Sequence, residues 1–120
     1  MLGERIARHQ VQCWLVNTGW TGGPYGVGRR VRLAHTRAML RAALDGRLDG
    51  SMGAPDPVFG VRVPAACPDV PSEILSPRAA WADPAAYDAQ AQELARLFQK
   101  NFEQFDEVPT QVRAAGPHLR

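Results

Sequence analysis

The stretch VQCWLVNTGWTGGPYGVG, residues 11–28, constrains the fold more than any other part of the sequence. Its first six residues, VQCWLV at 11–16, are mostly apolar and predict a strand buried on both faces. Glycine then recurs from Gly19 to Gly28. Many α/β proteins bind ligands where a buried strand opens into such a loop. Because glycine also supplies turn geometry, a long surface connection fits equally well, and the pattern leaves both interpretations open.

Short elements are predicted on both sides of this stretch. Residues 2–9 carry Leu2 and Ile6 among charged residues, which indicates the last turns of an amphipathic helix. Residues 31–33 alternate and predict a second short strand. Residues 36–44 predict a helix with an apolar stripe, and Gly46 is suited to end it.

The middle of the chain is rich in turn-forming residues. Residues 45–57 carry glycine, aspartate and proline, and predict a connection. Residues 58–63, VFGVRV, predict a strand that is interrupted by Gly60. Residues 64–77 contain four prolines and predict an extended crossing over the surface.

The last predicted element is a long helix with clear start signals. Asp83 is suited to the N-cap and Pro84 to the first helical position. One apolar face follows at spacings of three and four: Tyr87, Ala91, Leu94, Phe98, Phe102 and Phe105. Burying that face contributes on the order of 10 kcal/mol before entropy is subtracted. The pattern therefore predicts a mixed α/β protein of short strands with a long C-terminal amphipathic helix.

Composition limits the classes of function. The 120 residues suit one small domain, and 14 basic against 12 acidic residues argue against a dedicated nucleic-acid binder. No apolar stretch approaches the roughly 20 residues that a membrane helix needs, and residues 1–10 do not resemble a signal peptide. Cys13 and Cys67 belong to no C-x-x-C pair, so we expect reduced thiols in a cytoplasmic protein.

The glycine-rich loop has the spacing of a phosphate-binding loop but not its chemistry. Gly23 and Gly28 match G-x-x-x-x-G, yet Arg29 and Arg30 stand where lysine and a hydroxyl residue are required. Pro24 also removes one backbone N–H donor. A dinucleotide fingerprint fails because Val31 occupies its third glycine position.

The remaining polar residues carry weaker signals. Five arginines form the most basic stretch, namely Arg29, Arg30, Arg32, Arg37 and Arg41. Arginine suits phosphate because its planar fork donates two hydrogen bonds at once, but a solvated face would have the same composition. The three histidines lack metal-ligand spacing, so no metal site and no catalytic residue is predicted. The pattern alone indicates an α/β protein with a loop that could bind an anionic ligand.

The sequence resembles the ATP-dependent phosphoenolpyruvate carboxykinases along essentially its whole length. The similar segments are WLVNTGWTGGPYGVGRR at 14–30, TRAM at 36–39, AALDG at 42–46, DPVFG at 56–60, CP at 67–68, VPSE at 70–73, PR at 77–78 and AAGP at 114–117. The resemblance implies that residues 1–120 are part of the C-terminal, ATP-binding domain of such an enzyme.

What the resemblance implies about function is specific. The intact enzyme converts oxaloacetate and ATP to phosphoenolpyruvate, ADP and carbon dioxide in gluconeogenesis, and is a lyase that decarboxylates its substrate. It uses Mg²⁺ with the nucleotide and a second divalent ion, often Mn²⁺. Its P-loop, metal ligands and oxaloacetate site lie outside the present residues, so the chain alone is expected to be inactive and to bind no metal. Its expected partners are ATP, oxaloacetate and the remainder of the enzyme chain, with neither nucleic acid nor membrane.

The resemblance also assigns nucleotide-binding residues. Arg30, Val31 and Thr36 correspond to the arginine, aliphatic residue and threonine that contact the adenosine part. An aliphatic side chain can cover a purine face while arginine and hydroxyl groups bind polar atoms. His35 receives no role. Asp69 stands where the family is expected to have glycine, and aspartate tolerates a positive φ better than most residues.

Two alternatives remain beside this interpretation. The first is a stand-alone nucleotide-binding module, which would bind ATP by itself. The second is a non-catalytic truncated remnant that self-associates through the face of Phe98 and Phe102.

Overall fold

The chain folds into six helices and four short strands over residues 2–119, which are the residues that the computed structural model describes. In chain order they are α1 (Leu2–His9), β1 (Trp20–Thr21), β2 (Arg29–Arg30), α2 (Leu33–Leu44), β3 (Met52–Pro55), β4 (Arg62–Pro64), α3 (Ser72–Leu75), α4 (Pro77–Ala80), α5 (Pro84–Phe102) and α6 (Thr110–Ala114). Helices and small sheets are mixed, as the sequence predicts.

The strands form two separate antiparallel pairs. Strand β1 pairs with β2, so that Trp20 lies opposite Arg30 and Thr21 opposite Arg29. Strand β3 pairs with β4, with an irregular register between its two ends. An aspartate shapes the turn between β3 and β4, because the Asp56 carboxylate accepts hydrogen bonds from the amides of Val58 and Phe59.

The prediction of a buried strand at residues 11–16 is wrong. These residues belong to no strand, and Leu15 is 90% exposed. An apolar run becomes a strand only when a second strand satisfies its backbone N–H and C=O groups. Within residues 2–119 no strand lies alongside it.

The boundaries of the next elements also differ from the prediction. Residues 31–33 do not form a strand, since β2 ends at Arg30 and α2 begins at Leu33. Helix α2 starts three residues before the predicted residue 36 but ends as predicted, with Gly46 at a φ of +67°. The amides of Gly46 and Arg47 donate to the carbonyl oxygens of Ala43 and Ala42, the pattern of a Schellman motif.

The middle of the chain has more regular structure than predicted. Strand β3 lies within the predicted connection 45–57, and the predicted strand 58–63 is a turn followed by β4. Residues 64–77, predicted to be extended throughout, include α3 and the start of α4, because proline is compatible with the first turn of a helix. Asp69 adopts a φ of +61°. This is the positive φ that its position in the sequence suggested and that aspartate tolerates better than most residues.

Helix α5 begins where its sequence signals indicate. The Asp83 carboxylate accepts hydrogen bonds from the amides of Ala85 and Ala86, and Pro84 is the first helical residue. The long apolar face is not confirmed as a buried surface. The buried side chains of α5 are Ala91 and Ala95, and only Ala91 belongs to the predicted face; Phe98 is 51% exposed, and Phe105 lies beyond the end of the helix.

The core consists of two small clusters. One contains Ala42, Leu48, Cys67 and Leu75; the other contains Val58, Ala91 and Ala95. Both cysteines are free thiols, and burial raises the pKa of the Cys67 thiol above its ordinary value. No helix among the described residues is long and apolar enough to cross a membrane.

We predict that Asp83→Ala lowers the free energy of unfolding by about 1 kcal/mol, because two amides of the first turn of α5 lose their acceptor. Urea denaturation followed by circular dichroism measures the change. Asp106→Ala is the control, since Asp106 lies in a turn and is exposed. Equal losses in the two variants would contradict a capping role for Asp83.

Candidate functional site

The glycine-rich stretch is the turn of the β1–β2 hairpin. Residues 22–28 connect Thr21 to Arg29, and Gly22 and Gly26 adopt φ values of +78° and +87°. Gly28 has no room for a side chain, because a Cβ atom there would lie 2.7 Å from the Thr21 carbonyl oxygen and would overlap the Gly23 carbonyl. The loop can therefore close only with glycine at position 28.

The amides at the end of this loop are used within it. Val27 and Gly28 donate their N–H groups to the Pro24 carbonyl oxygen, at 3.0 and 2.9 Å. A phosphate-binding loop instead points several free amides at its anion. These two N–H groups are therefore not free to bind a ligand.

The base of the hairpin holds β2 against the residues that precede β1. The Asn17 side-chain amide donates to the Trp20 carbonyl oxygen and its carbonyl accepts from the Gly19 amide. The Val31 amide donates to the Gly19 carbonyl oxygen at 2.9 Å. Val31 thus lies in a fixed position just before α2, where it is buried.

A cleft of about 370 Å³ lies between the hairpin, the start of α2 and helix α3. It is lined by Thr21, Arg29, Arg30, Val31, Arg32, His35, Pro71, Glu73 and Ile74. Two of the three predicted nucleotide-binding residues, Arg30 and Val31, are in this lining. The third, Thr36, is buried on α2 and is not among the lining residues.

The cleft is predominantly positive. Arg29, Arg30 and Arg32 contribute guanidinium groups, and Glu73 contributes a carboxylate. None of the three arginines forms a salt bridge within residues 2–119. Their hydrogen-bonding groups are therefore available to an anionic or polar ligand.

Several lining residues could not have been assigned from the sequence. Pro71, Glu73 and Ile74 come from the segment that was predicted to cross the surface, and they reach the cleft only because α3 folds beside the hairpin. His35 is in the first turn of α2, and its Nδ1 atom is buried without a hydrogen-bond partner among the described residues. No local pattern marks either feature.

A second cleft of about 490 Å³ adjoins the first. The two share Thr21, Arg29, Glu73 and Ile74, and the second extends along Gly22 and Gly28 to Trp81. The two clefts therefore border the same four side chains at the hairpin.

The described residues contain no group of three His, Cys, Asp or Glu side chains placed to hold a metal ion. Among the described residues that line either cleft, Glu73 is the one acidic side chain and His35 is the one histidine. One carboxylate among three guanidinium groups does not suit a hard divalent cation, which prefers several oxygen ligands.

Comparison with known families gives this cleft a context. The family model described as phosphoenolpyruvate carboxykinase matches residues 1–73, more than half of the chain. The chain belongs to the phosphoenolpyruvate carboxykinase family. The matched region contains every lining residue of the first cleft except Ile74.

Individual relatives extend the similarity along the whole chain. Phosphoenolpyruvate carboxykinase (ATP) 2 of Moorella thermoacetica is 58% identical over 120 residues, which are 100% of this chain and 23% of the relative. Phosphoenolpyruvate carboxykinase (ATP) 1 of the same organism is 60% identical over 116 residues, or 97% of this chain and 22% of the relative. The Salinibacter ruber phosphoenolpyruvate carboxykinase (ATP) 1 is 55% identical over 120 residues, which are 99% of this chain and 22% of the relative. The chain therefore spans between a fifth and a quarter of the length of these relatives.

We predict that Gly28→Ala destabilises the chain by about 2 kcal/mol, because the new methyl group must displace the backbone of β1 or of the loop. Urea denaturation followed by circular dichroism measures the loss. Gly50→Ala is the matched control, since a Cβ at Gly50 meets no atom within 4 Å. A Gly28→Ala variant as stable as Gly50→Ala would contradict the close approach in the hairpin.

Proposed function

We propose that this chain is the C-terminal segment of an ATP-dependent phosphoenolpyruvate carboxykinase, and that residues 1–120 form part of its ATP-binding domain. The intact enzyme would convert oxaloacetate and ATP to phosphoenolpyruvate, ADP and carbon dioxide, as a cytoplasmic lyase of gluconeogenesis. The observation that carries the proposal is the 58% identity along the full chain to a relative named for this ATP-dependent activity.

The role of this segment is to bind the adenosine part of ATP through Arg30, Val31 and Thr36. Arg30 is exposed at the cleft and forms no salt bridge with another described residue, so its guanidinium can hydrogen-bond polar atoms of the nucleotide. Val31 is only 9% exposed, but its aliphatic side chain lines the cleft, where a purine face can rest on it. Thr36 is buried on α2 and does not line the cleft, so a direct contact with the nucleotide requires that the side chains covering it move when the nucleotide binds.

The chemistry of phosphoryl transfer depends mainly on positioning and electrostatics, and this segment supplies the positioning at the nucleoside end. The arginines of the cleft add positive charge beside the bound nucleotide. Mg²⁺ bound with ATP, and the second divalent ion such as Mn²⁺, would take their protein ligands from the remainder of the enzyme chain. The P-loop and the oxaloacetate site would come from the same remainder.

The exposed apolar surface of α5 supports the proposal that this chain contacts a further protein surface. Leu94, Leu97 and Phe98 are 41%, 54% and 51% exposed on one helix. A surface of this kind is stabilised when another protein surface covers it. The remainder of the enzyme chain is the proposed partner, because the relatives are more than four times as long as this chain. Self-association of a non-catalytic remnant through the same surface is the second candidate.

We predict that the 120-residue chain alone forms no phosphoenolpyruvate from oxaloacetate and ATP, because it provides only the nucleoside end of the site. A coupled assay with Mg²⁺ and Mn²⁺ present measures the rate. Turnover above that of buffer would contradict the proposed division of the active site.

We further predict that this chain can replace the matching segment of the Moorella thermoacetica enzyme, to which it is 58% identical. The exchanged enzyme should retain ATP-dependent activity. Arg30→Ala in the exchanged segment should raise the KM for ATP about tenfold, because a charged hydrogen-bond donor to the nucleotide is lost.

Arg41→Ala is the matched control for this experiment. Arg41 is exposed on the same helix α2 that borders the cleft, but it is absent from the cleft lining. The KM for ATP of the Arg41→Ala variant should equal that of the exchanged enzyme without a substitution. Equal KM values for the two arginine variants would contradict a nucleotide contact by Arg30.

A further inference from the structure

The first cleft holds opposite charges that do not pair with one another. Arg29, Arg30 and Arg32 line one side, from the hairpin and the residue before α2, and Glu73 lines the other side, from α3. Glu73 is exposed and forms no salt bridge with another described residue. The carboxylate and the three guanidinium groups therefore remain separated across a space of about 370 Å³, and both are accessible to a ligand that lies between them.

The two sides of the cleft make opposite demands on such a ligand. Guanidinium groups only donate hydrogen bonds, and an ionised carboxylate only accepts them. A phosphate group offers acceptors to the arginines, but its negative charge is repelled by Glu73. A nucleoside offers both kinds of group, because its ring nitrogens accept hydrogen bonds and its ribose hydroxyl groups donate them. Glu73 therefore favours the nucleoside part of a nucleotide on its side of the cleft.

The position of Glu73 suits the sugar better than the base. The apolar side chains of Val31, Pro71 and Ile74 provide the surface on which the face of a base can rest. Glu73 borders both clefts, whereas Val31 borders the first and not the second. A carboxylate has two acceptor oxygens, and ribose carries two hydroxyl groups on adjacent carbon atoms. Acidic side chains bind ribose hydroxyl groups in the same way in dinucleotide-binding folds.

We infer that the Glu73 carboxylate accepts hydrogen bonds from the ribose hydroxyl groups of the nucleotide, and that Glu73 thereby selects ribonucleotides over deoxyribonucleotides. The inference rests on the proposed function, because it takes the adenosine part of ATP as the ligand of the cleft. It adds a sugar-recognising residue to Arg30, Val31 and Thr36, which the family resemblance assigns.

The test removes each partner of the hydrogen bond in turn. Glu73→Ala removes the acceptor, and 2′,3′-dideoxyadenosine lacks both hydroxyl donors but keeps the base. The unsubstituted 120-residue chain and its variants are titrated by calorimetry with adenosine and with dideoxyadenosine. Neither ligand carries a phosphate, so the loss of a negative charge beside the arginines does not change the measured affinity through phosphate attraction.

The unsubstituted chain should bind adenosine about tenfold more tightly than dideoxyadenosine, because a hydrogen bond to a charged acceptor is lost in the second complex. Glu73→Ala should lower the affinity for adenosine about tenfold and leave that for dideoxyadenosine unchanged. Glu73→Gln keeps an acceptor oxygen without the charge, so its loss for adenosine should be about threefold. The control is Glu107→Ala, since Glu107 is exposed and lies outside both cleft linings; its affinities should equal those of the unsubstituted chain.

Four results would overturn the inference. The first is an equal adenosine affinity in the unsubstituted chain and Glu73→Ala. The second is an equal loss for both ligands in Glu73→Ala, which would indicate a structural role. The third is a loss that persists with dideoxyadenosine but disappears with purine riboside, which lacks the amino group, because the carboxylate would then contact the base. The fourth is the absence of adenosine binding by the unsubstituted chain.

The exchange into the Moorella enzyme judges the proposed function separately. Retained ATP-dependent activity there would uphold the proposed function whatever the Glu73 variants do.

Discussion

The backbone contact at Gly28 determines the geometry on which the cleft depends. Because this glycine lies against the Thr21 and Gly23 carbonyl groups, the seven-residue loop can close and β1 can pair with β2. The pairing fixes the positions of Arg29 and Arg30 on β2. The hydrogen bond from the Val31 amide to the Gly19 carbonyl oxygen continues the same strand register toward α2. One side of the cleft follows from these backbone contacts, since Arg29 to Arg32 are consecutive in the chain; the other side comes from Pro71, Glu73 and Ile74.

Features determined by a few neighbouring residues were predictable from the sequence. Asp83 and Pro84 start α5, Gly46 ends α2, and Asp69 adopts a positive φ, because caps and turns depend on local backbone hydrogen bonds and sterics. The strand predicted at residues 11–16 required a distant partner that the pattern could not specify. The cleft lining includes Arg30 and Val31, two of the three residues that the family resemblance assigns to the nucleotide, and that assignment stays a prediction. Glu73 and the buried nitrogen of His35 depend on how α3 and α2 approach the hairpin, which no local pattern reports.

The distribution of apolar side chains supports the proposal that a further protein surface covers this chain. Three of the fully or nearly fully buried positions are alanines, Ala42, Ala91 and Ala95, whereas Phe98 and Leu97 on α5 remain about half exposed. A buried alanine removes much less apolar area from water than a buried phenylalanine. Within the described residues, the side chains whose burial would contribute the most free energy therefore remain partly exposed. Relatives more than four times as long provide the additional surface that could cover α5.

The most direct test of the adenosine cleft is photo-crosslinking of the chain with 8-azidoadenosine triphosphate, followed by mass spectrometry of the labelled peptides. The account predicts labels within residues 28–36 and 71–74, the hairpin, α2 and α3 segments that border the cleft, and predicts that excess ATP removes them. Labels confined to α5, or spread along the chain and unaffected by ATP, would contradict the assignment of this cleft to the nucleotide.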